Sequence, residues 1–186
     1  MARPTRLGNF SYVGQHQYFL TFSTYERQRF FAEPGVGENA LEQLLQSSRA
    51  YSMAVAAYCL MPDHAHLLVK GLSPSADARA FISDFKRKSG WEFRRSRKRR
   101  LWRDGYHDRV LRDDSEALNF LAYTVNNPVR AGLVRTPEEY ALWGSFIESR
   151  HEILRRLRGR LAESQGHLSL FTRGAKSSTL LQPEDA

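Results

Sequence analysis

The chain has 186 residues, of which 41% are hydrophobic and 12% aromatic. This is the composition of a globular domain with a core and excludes a disordered chain. No apolar run reaches the length of a membrane helix, and the first ten residues lack the apolar centre of a signal peptide. A single cysteine, Cys59, excludes an internal disulfide, so we expect a reducing, cytoplasmic location.

The net charge of +8 is concentrated in one segment. The stretch from Lys86 to Arg103, called the basic segment below, contains one acid, Glu92, and carries +9, which leaves −1 for the rest. Its basic residues are Lys86, Arg87, Lys88, Arg94, Arg95, Arg97, Lys98, Arg99, Arg100 and Arg103. Trp91, Phe93 and Trp102 lie among them as candidate stacking or anchoring groups. The pattern predicts a nucleic-acid contact surface. The alternative is a solvated, mobile loop whose charge only aids solubility.

In chain order, the first elements are predicted by hydrophobic periodicity. Residues 16–25 are rich in aromatic and β-branched side chains and predict a strand. Residues 38–50 carry leucines at helical spacing and predict a helix. Residues 51–61 and 64–71 predict two strands of a hairpin, with turn chemistry at Pro62-Asp63 between them.

Further along the chain, helices and one short strand alternate. Apolar residues at i, i+3, i+4 and i+7 from Ala78 predict an amphipathic helix, and the basic segment follows it. Residues 106–112 predict a short strand, and residues 113–127 predict a helix that Pro128 ends. We expect a compact α+β fold on a mainly antiparallel sheet, because the spacing lacks regular β-α-β repeats.

The C-terminal part is predicted to be a separate region. We expect residues 1–149 to form one domain, and residues 150–186 to form a C-terminal helix, over about 151–163, and a mobile tail. One hypothesis is that the apolar stretch at 168–171 folds back over the functional site.

His64 and His66 flank Ala65 at the start of a predicted strand. Strand side chains alternate between faces, so both imidazoles point the same way. Neutral imidazoles suit divalent transition metals, and added oxygen ligands extend the choice to Mg²⁺ or Mn²⁺. Two histidines make half of such a site, so a third ligand must come from elsewhere. The alternative is a structural, hydrogen-bonded histidine pair.

Tyr123 lies on the predicted helix over 113–127. Its apolar stripe includes Leu121 and Val125, whereas Tyr123 and Asn127 project from nearly the opposite side, one turn apart. A helical tyrosine more often fills a core or an interface, but this one lies off the stripe beside an amide. Because Asn127 precedes a proline, we expect the last turn to loosen there.

Together these residues suggest phosphodiester chemistry on nucleic acid. A metal on His64 and His66 would polarise the scissile phosphate, and Tyr123 would be the nucleophile. Phenols are largely protonated at neutral pH, so this role requires a nearby cation. A tyrosyl phosphodiester keeps the energy of the broken bond, and a free hydroxyl end can attack it. Cleavage with rejoining is therefore favoured over simple hydrolysis.

Three stretches resemble a known family. They are YCLMPDHAHLLVKG at 58–71, LWRDGYHDRVLRDD at 101–114 and YTVNNPVRAGLV at 123–134. They resemble the REP-associated tyrosine transposases, small relatives of insertion-sequence transposases in the HUH class of single-strand nucleases. The resemblance runs from about Tyr18 to Trp143.

The resemblance implies a fold and a site. The fold would be a ferredoxin- or RRM-like antiparallel sheet flanked by helices, with the histidines on a central strand. His64 and His66 match the HUH histidines, and Tyr123 matches the single catalytic tyrosine. Asn127 matches the third ligand of a Mg²⁺ or Mn²⁺ ion.

The resemblance also implies the substrate, which is single-stranded DNA with REP-like palindromic hairpins. Cleavage beside the hairpin would leave a 5′-phosphotyrosyl enzyme and a free 3′-OH. The basic segment would contact phosphates, and Arg130 would be a further phosphate ligand, although helix capping explains Arg130 equally well. Two alternatives stay open, a hairpin-binding regulatory or architectural protein and a hydrolase with a water nucleophile. No membrane partner is expected, and the sequence does not distinguish a monomer from a homodimer.

Overall fold

The computed structural model describes residues 10–160. Its strands are β1 (Gln17–Ser23), β2 (Met53–Met61), β3 (His64–Gly71), β4 (His107–Leu111) and β5 (Trp143–Gly144). Its α-helices are α1 (Val36–Ala50), α2 (Ala78–Arg97), α3 (Asp114–Arg130) and α4 (150–160). Short 3₁₀ turns occur at Tyr25–Arg27, Phe30–Ala32 and Pro137–Glu139.

The strands form one sheet in the order β4-β1-β3-β2-β5, and all neighbours are antiparallel. The first four strands and two helices follow one another as two β-α-β units, which places β1 and β3 in the middle. This arrangement confirms the predicted α+β, ferredoxin-like fold. It also confirms that the two histidines lie on a central strand.

The two faces of the sheet carry different helices. Tyr18, Leu20 and Phe22 alternate along β1 and are fully buried on the face covered by α1 and α2. The intervening Phe19 points to the other face, where its ring stacks on Phe120 of α3, with centroids 4.4 Å apart. Strand alternation thus separates the main core from the face that carries the histidines.

Helix α2 continues well into the basic segment. Asp77 caps its start by accepting the Ala80 N–H at 2.9 Å, and the helix ends at Arg97, before Lys98, whose φ of 58° is left-handed. Arginine and lysine are good helix formers, and cations near a helix C-terminus are stabilised by the helix dipole. Residues 86–97 therefore project from a helix and do not form a mobile loop.

The predicted end of α3 at Pro128 is wrong, because the helix continues to Arg130. The Ala131 N–H donates to the carbonyl of Asn127 at 3.0 Å, so the backbone is still helical at the expected break. Pro128 has no N–H and removes only one bond, which is tolerable two residues before the helix end. Asn127 thus keeps helical geometry one turn after Tyr123.

The contacts divide the chain between Ser149 and Arg150. Residues 150–160 are helical, in agreement with the predicted helix as far as it is described. The tail and the 168–171 stretch lie outside the described residues. No helix within residues 10–160 is long and apolar enough to cross a membrane.

Candidate active site

Strand β3 presents His64 and His66 on the face covered by α3. Their Nε2 atoms are 3.1 Å apart, and their rings are nearly perpendicular. Both imidazoles converge on one point, as the His-x-His alternation in a strand predicts.

The Nδ1 atom of each histidine has an oxygen partner. His64 Nδ1 lies 2.6 Å from Oδ1 of Asp63, a carboxylate that only accepts. His64 therefore carries its hydrogen on Nδ1, and its Nε2 holds a lone pair. His66 Nδ1 lies 3.0 Å from Oγ1 of Thr21, which is directly opposite His66 in the β1–β3 pairing. A hydroxyl can donate or accept, so Thr21 supports either tautomer of His66.

This arrangement fits two ligands of a divalent metal ion. Two lone pairs 3.1 Å apart repel each other unless a proton or a cation lies between them. Without a cation, His66 Nε2–H donates to His64. A cation would instead be held by both Nε2 lone pairs, with Thr21 accepting from His66 Nδ1–H. Two adjacent nitrogens, each about 2.1 Å from an ion, lie about 3 Å apart.

Burial tunes the charges around the pair. Burial, and then the neighbouring His64, lower the pKa of His66 to about 3, so His66 is neutral at physiological pH. Burial opposes ionisation of Asp63, but the hydrogen bond from His64 and the charge of Arg27 outweigh it and lower the pKa of Asp63. His66 is thus neutral, and His64 is hydrogen-bonded to a carboxylate; histidines that bind metals are commonly in these two states.

Helix α3 brings Tyr123 to the histidines. The Tyr123 ring lies perpendicular to the His66 ring, with centroids 5.4 Å apart, and 36% of the residue is exposed. Phe19 contacts both residues, stacking on His66 at 5.3 Å and meeting Tyr123 edge-on at 5.7 Å. The phenol is therefore held beside the pair and is still open to a substrate.

Asn127 follows Tyr123 by one turn but is only 9% exposed, although the sequence placed both residues on the side away from the core. Its side chain makes no hydrogen bond to another residue within 10–160. In the same part of the chain, no three His, Cys, Asp or Glu side chains cluster in a way that could hold a metal. A complete ligand set therefore needs another donor, and the amide of Asn127 stays the predicted one.

Arg130 lies in the last turn of α3, with its guanidinium carbon 4.7 Å from the centroid of the Tyr123 ring. This contact places a permanent positive charge beside the candidate nucleophile. Its position is consistent with the predicted phosphate contact.

Lys86 of the basic segment is used within the protein. Its ammonium donates to the carbonyls of Arg103 and Gly105, at 2.8 and 2.5 Å. Burial lowers the pKa of Lys86 to about 8. Lys86 thus stabilises the loop after α2, and these hydrogen bonds compete with binding of its ammonium to a phosphate.

Most other cations of the basic segment are paired with acids. The pairs are Arg87 and Lys88 with Asp84, Arg95 with Glu92, Arg97 and Arg99 with Glu33, and Arg100 with Asp104. Three of these four acids lie outside the basic segment, so its +9 is partly compensated in the fold. Arg94 and Lys98 have no ion pair with any described residue. Surface pairs are weak, so the paired arginines can still exchange to phosphate.

Three contributors to the site were not predicted from the sequence: Asp63, Thr21 and Phe19. Of the three, only Asp63 had a signal in the sequence, because its carboxylate is adjacent to His64. Thr21 and Phe19 lie on β1 more than 40 residues from His66, and only the strand register brings them to the site.

The chain is similar to known proteins in sequence and in fold. Residues 12–124 match the family described as IS200-like transposases, a span that includes His64, His66 and Tyr123 and ends before Asn127. A curated Haemophilus influenzae protein, named as a REP-associated tyrosine transposase, is 26% identical over 136 residues, covering 66% of this chain and 76% of that protein.

A solved structure shares the fold. It is a REP-associated tyrosine transposase bound to a REP hairpin, with a TM-score of 0.62 and 15% identity, covering 77% of this chain and 82% of that one. The resemblance to this group is thus found independently in sequence and in fold. Because the family match covers more than half of its residues, the chain belongs to the IS200-like transposase family.

Proposed function

We propose that the chain is a metal-dependent single-stranded DNA endonuclease and strand transferase of transposase type. It nicks and rejoins DNA near REP-like palindromic hairpins through a 5′-phosphotyrosine intermediate. The observation that carries the proposal is the approach of the Tyr123 ring to within 5.4 Å of the His66 ring, beside the converging Nε2 atoms. The activity is assigned to residues 1–149, which contain all of these groups.

In the proposed reaction, Tyr123 Oη attacks the scissile phosphorus and the bond from phosphorus to the 3′ oxygen breaks. The phenolic proton passes to solvent, and the departing oxygen takes up a proton to become a 3′-OH. The DNA 5′-phosphate stays on Tyr123. One phosphodiester replaces another, so a second 3′-OH can reverse the step and join a new strand.

The side chains around Tyr123 have separate parts in this reaction. His64, His66 and the amide of Asn127 would hold Mg²⁺ or Mn²⁺, which stabilises charge on the phosphoryl oxygens when bound. Asp63 and Thr21 orient the imidazoles. Burial keeps His66 neutral. Arg130 supplies positive charge next to Tyr123, where the phosphate must lie.

The substrate class follows from charge and from the relatives. The solved relative is bound to a REP hairpin, and the basic segment offers phosphate contacts on the same unit as the histidines. Hairpin affinity should therefore fall steeply with salt.

Covalent capture tests the proposal. A single-stranded hairpin oligonucleotide, taken from a palindromic repeat near the gene, is labelled 3′ to the expected cut and incubated with Mn²⁺ or Mg²⁺. The products are resolved on a denaturing protein gel. Tyr123→Phe and His64→Ala should abolish a labelled band at the mass of the protein. Tyr25→Phe is the matched control, because Tyr25 is 38% exposed and Tyr123 is 36% exposed.

The other outcomes identify the alternatives. Cleaved DNA that persists in Tyr123→Phe would mean hydrolysis by water. Tight hairpin binding with neither product, across several repeat sequences, would mean a regulatory or architectural binding protein.

A further inference from the structure

The fold separates the three aromatic residues of the basic segment into two kinds. Phe93 and Trp102 are each 4% exposed, and the Trp102 indole N–H donates to Oγ of Ser89 at 2.8 Å. They anchor the segment to the core. Trp91 is 60% exposed and has no such role.

Trp91 lies in the middle of a cationic helix face. Arg87, Trp91 and Arg94 follow one another at spacings of four and three residues, which places them on one side of α2. Lys98 follows the helix end and lines the same cleft as these three residues. Arg94 and Lys98 have no ion pair within residues 10–160. The Arg95 guanidinium carbon lies 5.4 Å from the Trp91 ring centroid and supports the indole from one side.

The same tryptophan lines a cleft of about 680 Å³ between α2 and the loop that follows it. Arg94, Lys98 and Arg103 also line this cleft. An aromatic ring between cations in a concave surface is the arrangement that binds single-stranded nucleic acid by base stacking and phosphate contact. An ordinary solvated helix face has no need of it.

The cleft is connected to the histidines through the backbone. The Arg103 N–H donates to the carbonyl of Ser23 at 3.0 Å, and Ser23 pairs with His64 across β1 and β3. The loop that forms one wall of the cleft thus ends beside the strand end that carries His64.

We propose that Trp91 stacks on an unpaired base of the DNA, in the hairpin loop or displaced from its stem, while Arg94 and Lys98 hold the adjoining phosphates. This inference rests on the proposed function and adds a recognition element to it. Every base offers a π-face, so stacking here discriminates unpaired from paired DNA with little regard to sequence.

Equilibrium binding by fluorescence anisotropy tests the inference on three DNAs: a hairpin with unpaired bases, a blunt duplex of equal length, and oligothymidylate. Trp91→Leu should lose about ten- to hundredfold in affinity for the hairpin and for oligothymidylate, with little change for the duplex. Trp91→Phe should recover most of the loss. Leu72→Ala is the control, since Leu72 is also exposed, at 58%, and lies outside the basic segment.

Hairpins with abasic sites in place of the unpaired bases complete the test. Wild type and Trp91→Leu should bind them equally. Equal losses on hairpin and duplex, or no loss on either, would overturn the inference. Failure of the proposed function is distinguishable. A protein that forms no tyrosyl adduct but still binds oligothymidylate through Trp91 would disprove the enzyme and support the stacking site.

Discussion

Replacing Asp63 tests whether the histidine pair is supported as a metal site. The Asp63 carboxylate lies 2.6 Å from His64 Nδ1 and fixes which nitrogen carries the hydrogen. Loss of such a supporting group costs about 10- to 100-fold in metal affinity. We expect Asp63→Asn to weaken Mn²⁺ binding about tenfold, because a neutral amide makes a weaker bond, and Asp63→Ala to approach a hundredfold.

The structure supplies reasons to expect that these variants fold. Both the N–H and the hydroxyl of Thr24 donate to the Asp63 carbonyl, at 3.0 and 2.9 Å, and the Phe31 N–H donates to the Pro62 carbonyl at 3.1 Å. These bonds hold the turn through its backbone. They remain when the Asp63 side chain changes.

Arg27 is the matched control, since it pairs with the other oxygen of Asp63 at 3.1 Å and its side chain is 61% exposed. An exposed ion pair contributes at most about 1 kcal/mol, so Arg27→Gln should weaken Mn²⁺ binding by less than about fivefold. Free Mn²⁺ is measured by electron paramagnetic resonance during titration, with near-UV circular dichroism as a check of folding. Wild-type affinity in Asp63→Ala, or an equal loss in Arg27→Gln, would refute the role of Asp63.

Three further predictions concern stability and DNA binding. Tyr18 buries a hydroxyl with no hydrogen-bond partner among the described residues, so Tyr18→Phe should raise the free energy of unfolding by about 1–2 kcal/mol in urea titrations. In contrast, Tyr12→Phe loses a 2.5 Å hydrogen bond to the Asp108 carboxylate and should lower that free energy by about 1.5–3 kcal/mol. A change in the same direction for both variants would contradict this expectation. The pKa of Lys86 is about 8 when folded and 10.5 when unfolded, so the unfolded chain binds more protons between these values. As pH rises through this window, the free energy of unfolding of the wild type should therefore increase by at most about 3 kcal/mol relative to that of Lys86→Met. Parallel profiles of unfolding free energy against pH for the two proteins would disprove this. Arg94→Gln and Lys98→Gln should each reduce the slope of log affinity against log salt by about 0.7–0.9, whereas Lys86→Met should leave it unchanged.

The histidine pair and the helix that carries Tyr123 were predictable because their signals are local. Two residues one strand step apart share a face wherever the strand lies in the sheet, so the convergence of His64 and His66 required only the strand prediction. The helix that carries Tyr123 is likewise set by its own periodicity. Its end was not, because a proline in the last turn costs only one hydrogen bond and the following residues still form theirs.

The supporting groups depended on contacts between distant parts of the chain. Thr21 reaches His66 only through the β1–β3 register, and Glu33 neutralises part of the basic segment from more than 60 residues away. The exposed fraction of Trp91 depended on which side of α2 packs on the core. Composition and local periodicity thus determined the elements, the histidine pair and the excess of positive charge. Tertiary structure alone decided which side chains support that pair and which cations and aromatic rings face solvent, because those properties arise from packing between elements.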